Sequence, residues 1–356
     1  MSLRFHRLTR ATLSFRHLFD LRMSHRIGYY RRSWFTLSYM TRFFTFSEPK
    51  DRIYGLLGLE TVECDSTKGQ LLVDPDYNID ILECYRRVAA KLLCEWHDLR
   101  VLSWAGHRPG PTQDWPSWVP DWKPSGNHMF QDLGGFDRIK EKSNLIDISD
   151  TMRNGNHCIN IAGLRVDTVL RVVEEHADMT DIQDDSCGPV RLQALLRSLA
   201  HVYREPCLAC TFGNQSKYLP LPSYRMENLL DNYHAFMNRD FTQDMYRHVP
   251  VESNQDDQRS SFTPNADKFF ETCRRDNDGH TLFITSTEML GQGPDNVLPG
   301  DVVVVLHGSA IPFVLRPASD GLWRLVGECY VYDVNEGRIH REWEEKGSVS
   351  EKFCIY

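Results

Sequence analysis

Apolar residues recur at helical spacing in the first third of the chain and at strand spacing towards its end. Ile81, Tyr85, Val88, Leu92 and Trp96 fall on one face of a helix over residues 80–97, with Arg86, Arg87 and Lys91 turned away. A second apolar helix is predicted over 34–46. A short one follows over 47–58, where Ser47 is placed to cap it, Pro49 suits its first turn, and Gly58 follows the apolar Ile53, Leu56 and Leu57. Phe5, Leu8, Thr12, Phe15 and Phe19 alternate with Arg4, Arg7, Arg10 and Arg16, the pattern of a basic amphipathic helix within residues 1–32.

Residues 104–122 hold four Trp and four Pro, and each Pro removes a backbone donor, so this stretch reads as an ordered loop or extended connector. Polar residues 126–153 read as a surface excursion. Alternation around Ile159 and Ile161, continued by β-branched residues to Val173, predicts two strands or one bent at Gly163. An acidic loop over 174–188, helices over 190–203 and 223–246, and a mobile polar stretch over 251–265 follow. Short apolar runs at 282–285, 302–306, 311–315, 322–326 and 329–332, separated by Gly, Pro and Asp, predict a small barrel-like sheet, with Gly300 in the turn before the Val run. The fold class is therefore α+β: a helical N-terminal part, then mixed helices and strands, then a small C-terminal β-barrel-like sheet. The expected divisions are a basic arm (1–46), a helical region (47–125), a mixed region (126–280) and a β-rich module (281–356).

Charge changes the picture at one end only. Of the net −8, residues 1–46 hold nine Arg against the single acidic Asp20, so the rest of the chain carries −16. The arm reads as a helix that packs on a core, as a mitochondrial targeting segment, or as a contact for an anionic surface. No apolar run approaches the roughly 20 residues that span a bilayer, so no transmembrane helix is expected. The ten Cys are irregularly spaced, which fits reduced thiols in a cytoplasmic setting better than a disulfide framework.

Candidate chemistry is sparse. Trp115, Trp118 and Trp122 are able to line a ligand or partner surface that Asp121 orients, with His107 nearby in sequence; the competing reading has the Trp rings covering the helices and Asp121 capping a turn. Cys207 and Cys210 have the spacing of half a zinc or redox site, but no second pair accompanies them and only a tertiary coincidence with His201 and His234 would complete one. Gly291-Gln292-Gly293 lacks the third Gly and the Lys of a phosphate loop, and Pro294 makes it an ordinary turn. No catalytic motif is present, so neither a catalytic residue nor a cofactor is assigned; no nucleic-acid contact is expected.

The stretch Glu48-Pro49-Lys50-Asp51-Arg52-Ile53-Tyr54-Gly55-Leu56-Leu57-Gly58-Leu59 resembles the DPRDKIYALLGL signature of fungal heterokaryon-incompatibility (HET) domain proteins. Three further pieces follow in that family's order: Val73-Asp74-Pro75-Asp76-Tyr77, the Trp115-to-Trp122 stretch, and a C-terminal run through Gly300-Asp301 to Val331. The LSYVWG-like and DALCINQ-like motifs of the family's N-terminal core, which looks like a TIR-related fold, have no counterpart before Ser47. The chain thus resembles the rear portion of such a protein. The resemblance implies nonself recognition and programmed cell death, with the effector function in that core and a regulatory or interaction role here, working on a protein partner. An enzyme with a nucleotide- or ester-hydrolysing pocket near Trp115 and Trp122, or a truncated product without selected activity, are the alternatives.

Overall fold

The computed structural model describes residues 33–41, 44–65, 68–106, 115–122, 148–173, 279–309, 311–331, 334 and 349–356. The expected elements within 1–32, 174–278 and 335–348 lie outside these residues. Among the described residues four helices precede the strands: α1 (Trp34–Met40), α2 (Asp51–Tyr54), α3 (Ile81–Cys94) and α4 (Arg100–Ala105).

Helix α3 forms where periodicity places it. The Asp80 carboxylate accepts from the Glu83 N–H at 2.8 Å and closes its first turn. Tyr85, Val88, Ala89, Leu92 and Leu93 are buried along one face. Ile81 is only half-buried, and Trp96 falls past the helix end, 41% exposed rather than on the packed face. Helix α1 stops at Met40, well short of residue 46. Helix α2 is a single turn starting after Lys50 rather than a helix capped by Ser47. The chain continues through turns to Gly58, which does not take positive φ. Two Gly in a short apolar segment leave too little propensity to extend a helix beyond what packing enforces.

The strands are β1 (Ile148–Arg153), β2 (Asn156–Val173), β3 (His280–Thr285), β4 (Leu290–Pro294), β5 (Val302–Leu306), β6 (Phe313–Pro317), β7 (Leu322–Glu328), β8 (Tyr330–Val331) and β9 (Glu351–Ile355). Residues 158–173 form one strand, with register shifts at 165–167 and 169–171 in place of a bend at Gly163. Gly163 lies opposite Glu351 of β9 on one side and Leu306 of β5 on the other. A Cβ there would meet the Val305 carbonyl oxygen at 2.7 Å, so β2 approaches β5 closely because this residue has no side chain.

Pairings β5–β6, β6–β7, β7–β9, β9–β2 and β2–β5 return to their start as a ring of strands. The β7–β9 pair is parallel and the other four are antiparallel. From the far half of β2 the sheet continues through β3 and β4 to β8. Two of its strands come from segments that read as irregular. The end of the polar 126–153 stretch is β1, a hairpin partner of β2. Gly291-Gln292-Gly293 lies inside β4, not in a turn. The missing side chain at Gly291 makes room for Phe283, whose ring atoms would stand 2.3 Å from a Cβ there.

One apolar core joins both parts. Trp34, Leu92, Trp118, Val304, Phe313 and Phe353 belong to the same buried cluster. The opposite-facing Val303 and Val314 enter a second cluster with Val169 and Phe283. Strand β5 is buried on both faces, which explains why it reads as an unbroken apolar run instead of alternating. Where α4 ends on β7 the contact is glycine on glycine: a Cβ on Gly106 would lie 2.2 Å from the Gly327 Cα. Among the described residues no helix is long and apolar enough to cross a membrane.

Candidate functional site

The residues of the Glu48-to-Leu59 stretch act mainly as fastenings. The Tyr77 hydroxyl donates to the Asp51 carboxylate at 2.6 Å. Arg52 donates to the Phe44 carbonyl at 3.0 Å and lies over the Phe46 ring. Burial lowers the Arg52 pKa, and Tyr85 and Asp121 partly oppose that. The Tyr54 hydroxyl donates to the Asp76 carbonyl, and burial pushes its pKa up to about 12. Ile53, Leu56 and Leu57 enter the core, while Gly58 is exposed.

Gly300 and Asp301 fasten the start of β5. Gly300 has φ +91°, a conformation that a side chain makes costly. Asp301 is buried and takes both arms of Arg316, Nε at 2.7 Å and Nη2 at 2.9 Å, together with the Leu298 N–H at 2.8 Å. Its backbone oxygen accepts from Val169 N–H, which ties the turn to β2.

Of the predicted surface residues, Trp118 and Trp122 have no exposed area. Trp118 donates through Nε1 to the His157 carbonyl at 3.0 Å, and Trp122 packs edge-on to Trp34 at 5.3 Å. Asp121 is half-buried and interacts electrostatically with Arg52 and Tyr85. Only Trp115 reaches a cavity. Its Nε1 donates to the Val119 carbonyl at 2.9 Å, and its ring meets Tyr85 edge-on at 6.1 Å, so its orientation is set. His107, Cys207 and Cys210, and with them His201 and His234, the partners a metal site there would need, fall outside the described residues. Among the described residues no group of three or more His, Cys, Asp and Glu is placed to hold a metal ion.

The cavity that Trp115 lines measures about 300 Å³ and sits between the N-terminal turn of α3, residues 115–117, the β1–β2 turn and β7. Ser117 forms its floor: the hydroxyl donates to the Tyr356 carbonyl and accepts from the Leu325 N–H at 2.9 Å. That hydroxyl is committed to the backbone and is not poised as a nucleophile. Arg86 forms the rear wall, donating to Glu83 through Nε (2.8 Å) and Nη2 (3.0 Å) and to Asp150 of β1 through Nη1 (2.6 Å). His157, Asn156 and Arg324 complete the opposite side. Sequence reasoning singled out Trp115 alone; the other residues lie in separate stretches that only the tertiary fold brings together.

Hydrogen bonds from Arg86, then from Arg87, hold the Glu83 carboxyl well below the usual range, at about 2, against the opposing effect of burial. Because the folded pKa is depressed, Glu83 contributes stability fully above its ordinary value of 4.5 and loses it as pH falls towards about 2. We expect Glu83→Gln to be less stable than the parent at pH 7, with the gap closing between about pH 4.5 and 2 in urea titrations. A gap that stays constant across that window would remove this role.

A family model described as the Het-6 beta-barrel domain matches residues 223–348, a span that includes β3 to β8. A relative comes next. The chain is 22% identical to heterokaryon incompatibility protein 6, OR allele, of Neurospora crassa, over a 341-position alignment that covers 82% of this chain. The alignment spans 48% of that protein, so the chain covers about half the length of the curated relative. Together the two matches support a protein of the heterokaryon-incompatibility family, as the Glu48-to-Leu59 resemblance implies. No solved structure matches.

Proposed function

We propose that this chain serves fungal nonself recognition as a regulatory or protein-interaction region, acting in the cytoplasm on a protein partner and coupled to programmed cell death without catalysis of its own. The likeness to the Neurospora incompatibility protein over 82% of the chain is the observation that carries this reading. The surface offers a place for a partner: Val62 and Trp96, 51% and 41% exposed, line one shallow groove at the end of α3. Packing of the Glu48-to-Leu59 residues supports a scaffold role for that stretch.

The test is expression of the full chain in one Neurospora crassa parent, followed by forced fusion with an OR-allele parent and microscopy with a vital dye. Death of fused compartments above that in empty-vector fusions is the expected result. Normal heterokaryon growth with the protein present at its 41.4 kDa mass would overturn the reading.

A further inference from the structure

We propose that the cavity beside Trp115 is a receptor for a small organic anion carrying a flat ring, such as an aryl carboxylate or a nucleoside monophosphate. It rests on the cavity's own chemistry and not on the incompatibility role.

Size and shape come first. At about 300 Å³ the cavity is at the lower end of small-molecule sites, enough for one ring system and one charged group. The Trp115 ring supplies an aromatic wall, and its Nε1 bond and the Tyr85 edge contact fix it before any ligand arrives. Because the floor is also anchored, through Ser117 to Tyr356 and Leu325, little ordering remains for binding to bring about.

Charge then selects the ligand. Arg86 is committed to Glu83 and Asp150. In the same sheet Arg165 is committed to Glu351 and Arg316 to Asp301. Arg324 lines the cavity from β7, half-buried, and among the described residues its guanidinium makes no ion pair. In the same lining, the Asn156 amide and the His157 imidazole likewise make no side-chain hydrogen bond among the described residues. Three polar side chains of one cavity, unpaired among the described residues and one of them a cation, present donors to a carboxylate or phosphate, which a guanidinium is able to hold with two parallel bonds. Two carboxylate side chains, Asp80 and Glu83, also line the cavity, together with Tyr356, whose main-chain oxygen is held by Ser117. Both oxygens of Glu83 are occupied by Arg86 and Arg87, and Asp80 holds the α3 N-terminus, so neither leaves Arg324 neutralised through a direct contact.

Isothermal titration of the full chain with adenosine 5′-monophosphate, benzoate, inorganic phosphate and adenosine tests this. One or both ring-bearing anions should bind, and which one does distinguishes a nucleotide from an aryl acid. Neutral adenosine and ring-free phosphate should bind far more weakly. Arg324→Gln should weaken the bound anion roughly ten- to a hundredfold, and Trp115→Leu should weaken it separately. Circular dichroism and the urea midpoint establish that each variant is folded, and Asn156→Ala replaces Arg324→Gln if the latter is not. Absence of binding by both ring-bearing anions, or unchanged affinity in a folded Arg324→Gln or Asn156→Ala protein, overturns the proposal. Neither result bears on the fusion experiment, which scores cell death in hyphae.

Discussion

Trp122→Ala is expected to lower unfolding stability by about 3–5 kcal/mol, the range for truncating a large aromatic in a packed core. Trp122 has no exposed surface and stands at the centre of an aromatic group, 5.1 Å from Trp104, 5.3 Å from Trp34 and 6.3 Å from Phe35 between ring centres. These rings come from three separate stretches of chain, so filling the void would require movement of several elements at once. Trp96→Ala provides the contrast: 41% exposed and beyond the end of α3, it should cost less than about 1 kcal/mol. Urea unfolding of the two variants side by side decides the matter, and equal midpoints would show that Trp122 is not part of the cooperative core.

Asp301→Ala should cost about 2–4 kcal/mol, because it strips Arg316 of its carboxylate and leaves the Leu298 N–H without an acceptor. The figure lies below that for a fully buried pair since the Arg316 side chain is 31% exposed. Arg316→Met alone should also destabilise, by leaving the Asp301 carboxylate buried without its cation. Combined, the two changes should cost distinctly less than their sum, since the second removes a group the first has already stranded. Strict additivity in that double-mutant cycle would mean that the pair makes no joint contribution and that the turn is held by Gly300 and the backbone alone.

The ease of reading each element follows from where its determinants lie. Helix α3 is legible because Asp80 and the apolar stripe after it are local signals. Strand β5 is legible because burial on both faces leaves four consecutive Val residues, and the Gly300 turn because its conformation is written into one residue. Strand β4 is not legible, since Gly291 and Gly293 look like turn residues until Phe283 is seen to need the space. Strand β1 is hidden for a similar reason: most of its side chains are exposed, and its register comes from β2. Trp118 and Trp122 read as ligand surface or as cover for the helices, the second reading being the stronger, and their burial is what separates them from Trp115. The cavity was the least accessible to sequence, because Arg324 and His157 carry no local pattern that marks them as neighbours of Trp115.

Strand β2 also governs the order of events as the chain folds. One of its ring partners, β5, follows only after more than a hundred intervening residues, and the other, β9, is later still. On a ribosome, β2 emerges with β1 as its hairpin partner and the earlier helices to pack on, while its edges towards β5 and β9 stay unpaired until those strands follow. Such non-local closure slows folding and lengthens the interval in which an unpaired edge is able to recruit another nascent chain. A chaperone acting during synthesis is expected to have its greatest effect in the interval before residues 351–355 reach β2.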